Sequence, residues 1–184
     1  MKNRYLPLVL VASLLLLIGS VAAGCSSDDD NGNGGGEPLT LDAWFGQVEA
    51  LSQAFADDLD ALDKEAGVDF DEADSDEEAI EVWVSFIEDK RSTTADFAGD
   101  LDDLRAFDEA AAAQSEAVTT GQELVSLYGD ALTIVDLSGT FDDATLVLEG
   151  PGIVDALDRF GAACVALQGI ADSNGIDVDL NCPS

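Results

Sequence analysis

The sequence predicts an all-α protein: a helical bundle of about four long helices and one short helix, with an extended C-terminal tail pinned by a disulfide. Three observations carry that expectation. Apolar residues recur at spacings of three and four through most of the chain. Helix-capping residues and Gly or Pro breaks fall between those periodic stretches. No pair of alternating stretches suggests a β-hairpin.

The first helix has the clearest pattern. Leu41, Trp44, Phe45, Val48, Leu51, Phe55, Leu59 and Leu62 form one apolar stripe with Asp and Glu between them. Thr40 or Asp42 can cap its start, and Gly67 sits where its end is expected, about 25 residues on. Residues 67–74 read as a connector. Ser75 followed by Glu78 is a capping-box arrangement that opens a second helix, with Ile80, Trp83, Val84, Ile87, Phe97 and Leu101 on its stripe. Its polar middle, residues 89–94, suggests a bend or a solvent-facing stretch, and a break is expected near 105–108. A third helix is expected over 108–136, with Val118, Leu124, Tyr128 and Leu132 facing inward. Residues 138–140 read as a turn and new cap, leading into a short helix over 141–148. Gly150-Pro151-Gly152 then breaks the chain. The last helix uses Ile153, Leu157, Phe160, Cys164, Leu167 and Ile170, and Gly175 suits its C-cap.

The chain divides into three parts: a leader over 1–24, an anchoring cysteine and linker over 25–38, and the helical body over 39–184. Lys2 and Arg4 precede an apolar run over 6–18, and Ala22, Ala23 and Gly24 lead to Cys25. A positive start, an apolar stretch and a small-residue site make a secretory signal. A membrane-spanning anchor over 5–23 is the competing reading, since about 20 apolar residues cross a bilayer. Ala22-Ala23-Gly24-Cys25 resembles the lipobox of bacterial lipoproteins, although Ala22 stands where Leu or Val is usual. The resemblance implies cleavage before Cys25, lipid on its sulfur, and an extracytoplasmic protein held to a bacterial membrane. Residues 26–38 contain no side chain able to anchor a core and are rich in Gly, Asn and Asp. Thirteen such residues span about 20 Å as a flexible tether.

The chain carries 39 acidic residues against seven basic ones, a formal charge of −32, and two of the basic residues lie in the leader. A field of that sign repels nucleic acid and anionic headgroups, which excludes a DNA- or RNA-binding role. It also suits solubility in a salty or cation-rich medium. With Cys25 assigned to lipid, Cys164 and Cys182 remain, and an exported protein is expected to pair them. The helix from Cys164 to Asn174 advances about 15 Å, and eight extended residues reach about 26 Å, so the tail can turn at Gly175 and return to Cys164.

No histidine is present. That removes Ser-His-Asp and Cys-His catalysis and the histidine-based zinc and di-iron sites, and no phosphate-binding or dinucleotide motif appears. No catalytic, cofactor-binding or metal-ligating residue is assigned, and no cofactor is implied. Residues 69–78 are dense in carboxylates and invite comparison with a calcium loop. Asp69 and Asp71 fit its first ligand positions, but Ala73, Asp74 and Ile80 fail the later ones. Trp44, Phe45, Trp83 and Phe86 open two helices and read as core or as stacking platforms for sugar rings.

Residues 39–51 (LTLDAWFGQVEAL) and 162–182, with the lipobox and acidic linker, resemble a loose set of uncharacterised helical bacterial lipoproteins. That resemblance implies the architecture and carries no activity. The reading is of a non-enzymatic, lipid-tethered module that binds an envelope partner or serves a structural role. An envelope hydrolase acting through paired carboxylates is the alternative, and low-affinity divalent-cation binding a weaker one.

Overall fold

A computed structural model describes residues 39–182. The leader, Cys25 and the linker lie outside the described residues. Five α-helices follow in order: α1 Leu41–Glu72, α2 Asp76–Asp103, α3 Ala111–Val135, α4 Phe141–Thr145 and α5 Pro151–Ser173, with a 3₁₀ turn, Leu146–Glu149, between the last two. Among the described residues there is no strand.

Thr40 caps α1, its hydroxyl accepting from the Ala43 N–H at 3.2 Å. The helix does not stop at Gly67 as its composition suggests but continues to Glu72. A glycine inside a helix costs about 1 kcal/mol relative to alanine. What lies beyond it opposes that cost: Phe70 packs on Trp83 and Phe141 at centroid distances of 5.9 and 5.2 Å. The connector shrinks to residues 73–75. Ser75 caps α2 by accepting from the Glu78 N–H, and the Glu78 carboxylate accepts from the Asp74 N–H at 2.7 Å.

The polar middle of α2 does not interrupt it. Thr94 is buried there and donates its hydroxyl to the Lys90 carbonyl at 2.7 Å, one turn back. α3 starts at Ala111, three residues later than composition suggests, because residues 107–110 close a turn through the Ala110 N–H and Phe107 carbonyl. Gln114 then joins the two helices, donating to the carbonyls of Leu101 and Leu104 at the end of α2. The expected short helix over 141–148 divides. Thr140 caps α4 by accepting from the Asp143 N–H, and the chain tightens to 3₁₀ geometry from Leu146. Pro151 at the start of α5 has no N–H to leave unpaired. Gly175, at φ +70°, ends it: the Ile176 N–H reaches back to the Ala171 carbonyl and the Gly175 N–H to that of Asp172.

Consecutive long helices run antiparallel, with close backbone packing of α1 on α2, α2 on α3 and α3 on α5. Their order is visible in the side chains. Phe70, Asp63 and Phe55 of α1 meet Trp83, Lys90 and Phe97 of α2 in reverse register. α2 and α3 pack closely at Gly121, where a Cβ would lie 3.0 Å from that of Ala98. α5 faces α1 mainly through longer side chains, including Phe55 and Phe160 at 6.0 Å.

The core has two lobes. Near the end where the chain enters α1, Trp44, Phe45, Val48, Leu101, Leu167 and the tail residue Leu180 pack together. Toward the opposite end lie Ile87, Leu124, Tyr128, Val135, Ile153 and Phe160. Phe97 touches both.

Candidate functional site

The two remaining cysteines meet. Cys164 on α5 and Cys182 in the tail form a disulfide, with Cα atoms 5.5 Å apart. The tail runs back along α5 under this bond. Gln168 holds it from α5, donating to the Val178 carbonyl at 2.9 Å and accepting from the Leu180 N–H at 3.0 Å. Glu49 holds it from α1, accepting from the Asp179 N–H at 2.8 Å. Leu180 is thereby buried, and Ile176 and Val178 pack against the same lobe. The tail bridges α1 and α5 where their backbones stand apart. Composition points to the disulfide but gives no sign of Glu49 or Gln168, because a carboxylate and an amide among so many polar residues carry no spacing signal.

Inside the bundle, among the described residues, four of the five buried polar side chains donate to backbone carbonyls. Ser52, Thr94, Gln114, Thr120 and Thr145 are the buried polar residues among those described, with no carboxylate in the set. Thr94, Thr120 and Thr145 donate to carbonyls of their own helices. Trp44 Nε1 and Gln114 Oε1 are buried without a hydrogen-bond partner.

Asp63 and Lys90 are half-buried and pair at 3.2 Å between α1 and α2. The Lys90 ammonium also lies 4.4 Å from the Phe86 ring centroid. Burial, and secondarily the negative charge of Asp63, raises the phenol pKa of Tyr128 above its ordinary value near 10. On the surface, Arg159 joins α5 to α3 through Glu123 at 2.6 Å, and Lys64 pairs with Asp60.

The four aromatic residues singled out from sequence divide by end. Trp44 and Phe45 are fully buried, in edge contact with each other, and present no stacking face. Trp83 and Phe86 are half-buried and stacked on each other at 5.3 Å. Trp83 also donates its indole N–H to the Ala144 carbonyl at 3.0 Å, fastening α4 across the end of the bundle. At Phe86 an open depression between α1 and α2 is lined by Leu62, Ala66 and Val82 together with Glu65, Asp69 and Asp89.

The acidic stretch over 69–78 is the last turn of α1, a short corner and the first turn of α2. Asp69 and Asp71 belong to the helix, and Glu78 is engaged in capping, so no loop forms that could wrap an ion. Among the described residues no three Cys, Asp or Glu side chains gather in a metal-holding arrangement.

This same end of the molecule exposes apolar surface. Val68, Ile134, Leu137, Leu146 and Val154 are all exposed, Leu137 by 82%. They lie at the end of α1, the end of α3 and its following turn, the 3₁₀ turn, and the start of α5. Sequence reading passed over them. Ile134 and Leu137 fall off the inward stripe of α3, and that departure was the available signal.

No helix among the described residues is long and apolar enough to cross a membrane. No protein-family model, curated protein or solved structure matches the chain.

Proposed function

We propose that the chain is a lipid-anchored, extracytoplasmic module of the bacterial cell envelope that acts by binding rather than by catalysis. The observation that carries this reading is the Cys164–Cys182 disulfide. Such bonds persist in exported proteins and are rare where thiols are kept reduced. The sequence Ala22-Ala23-Gly24-Cys25 supplies the matching leader and lipid-attachment residue, and residues 26–38 supply a tether.

Binding is favoured over hydrolysis by where the carboxylates lie. A carboxyl group working as a general acid at neutral pH needs a raised pKa, which desolvation in a cleft supplies. Among the described residues the buried polar side chains are hydroxyls and one amide. The strong negative charge directs the module toward cationic partners and away from nucleic acid and anionic lipid surfaces.

The test is metabolic labelling of expressing cells with a clickable fatty acid. The native chain takes up label and Cys25→Ser does not. Label retained on Cys25→Ser would overturn the anchor. Trapping of free thiols in intact cells adds a second readout, with Cys164 and Cys182 protected until a reductant is added.

A further inference from the structure

We propose that the end of the bundle opposite the entry of the chain is a docking surface for a protein segment that carries Lys or Arg around apolar side chains. This rests on the binding role proposed above and assigns it a place and a chemistry.

Three features converge there. The first is exposed apolar surface: five of the eight large exposed apolar side chains among the described residues sit at this end, with Leu157 and Val165 farther along α5 and Leu39 at the entry of the chain. Scattered exposed apolar residues are ordinary, but a concentration on one end marks an interaction site. The second is charge. Residues 65–89 and 130–158, which build this end, contain no Lys or Arg. Asp69, Asp71, Glu72, Asp74 and Glu77 stand on the α1–α2 corner, and Asp142, Asp143 and Glu149 on α4 and the 3₁₀ turn. The third is position. α1 is 32 residues long, so this surface stands about 48 Å along the helix from the point of entry.

Charge complementarity selects the occupant. A second copy of the chain would bring the same anionic rim against itself, and an anionic membrane would be repelled. A partner segment with cationic residues beside apolar ones meets both halves of the surface. Long-range attraction speeds encounter, and apolar burial slows release.

The test uses the full chain, captured through a tag after Ser184 in a neutral detergent, with a detergent-only reference channel. Two synthetic helical peptides of about 18 residues serve as probes, one with Lys on one face and Leu on the other, the second with every Leu replaced by Ser. The Lys/Leu peptide is expected to bind about tenfold more tightly than the isocharged Lys/Ser peptide. The double variant Leu137→Ser/Leu146→Ser is expected to lose about fivefold of that affinity, and Val165→Ser, exposed lower on α5, to lose none. All three substitutions are at exposed positions, and circular dichroism checks that each variant keeps its helical content. Equal binding of the two peptides, no binding by either, or an unchanged double variant would overturn the proposal. None of these outcomes bears on lipid attachment, which Cys25→Ser tests separately.

Discussion

The two ends of the bundle are closed by different means. At the entry end, Trp44 and Phe45 are fully buried, Gln114 joins α2 to α3, and the tail lies across α1 and α5 under a disulfide. At the opposite end, α4 and a 3₁₀ turn lie across the helix ends, fastened by the Trp83 indole N–H and a cluster of tilted rings. The first closure is covalent, through a disulfide between residues 18 apart in sequence. The second is non-covalent, made by contacts between residues far apart in sequence, partly exposed, and leaves Leu137 and Leu146 facing solvent. A small bundle can therefore concentrate its stability at one end and keep apolar surface available at the other.

The largest effect that could break this comparison is loss of the strap. The double variant Cys164→Ser/Cys182→Ser is expected to lose about 3 kcal/mol of unfolding free energy, because the bond restricts the unfolded chain. Urea unfolding measures it, and a loss below about 1 kcal/mol would mean that Glu49, Gln168 and Leu180 hold the tail unaided. Trp83→Phe sharpens the other side. It keeps an aromatic ring beside Phe70 and Phe86 but removes the donor to the Ala144 carbonyl, so a cost of about 1 kcal/mol is expected. The smallest effect near neutral pH comes from Tyr128. Its folded-state pKa lies above the ordinary value, so its contribution is complete below about pH 10 and fades as pH climbs through the folded value. Tyr128→Phe should flatten that alkaline loss of stability, and a wild-type-like decline in the variant would assign it to other groups.

The helices were legible because periodicity and caps are local. Thr40, Ser75, Thr140 and Gly175 mark boundaries that the backbone respects. The misjudged end of α1 has a tertiary cause. α1 passes Gly67 because Phe70 finds partners on α2 and α4, and no local rule reports a contact across 71 residues of sequence. The polar middle of α2 is solvent-facing at Asp89, Arg91 and Ser92, as its composition suggests, and the helix runs through it unbroken. For the candidate surfaces, Cys164 and Cys182 stood out by residue type. Glu49 and Gln168 did not, since their role depends on where the tail comes to rest. Leu137 and Leu146 were hidden differently: off-stripe apolar residues in a turn carry no sign of exposure until the fold places them outside.

Hydrogen exchange resolved by peptide, on oxidised and reduced protein, tests the contrast between the ends most directly. In the oxidised protein the tail amide of Leu180 and the helix segments beneath it are expected to exchange more slowly than residues 141–149. Reduction should speed exchange in residues 176–182 and in the start of α1 while leaving 141–149 unchanged. Slower exchange at 141–149 than in the strapped end, or equal acceleration at both ends on reduction, would contradict it.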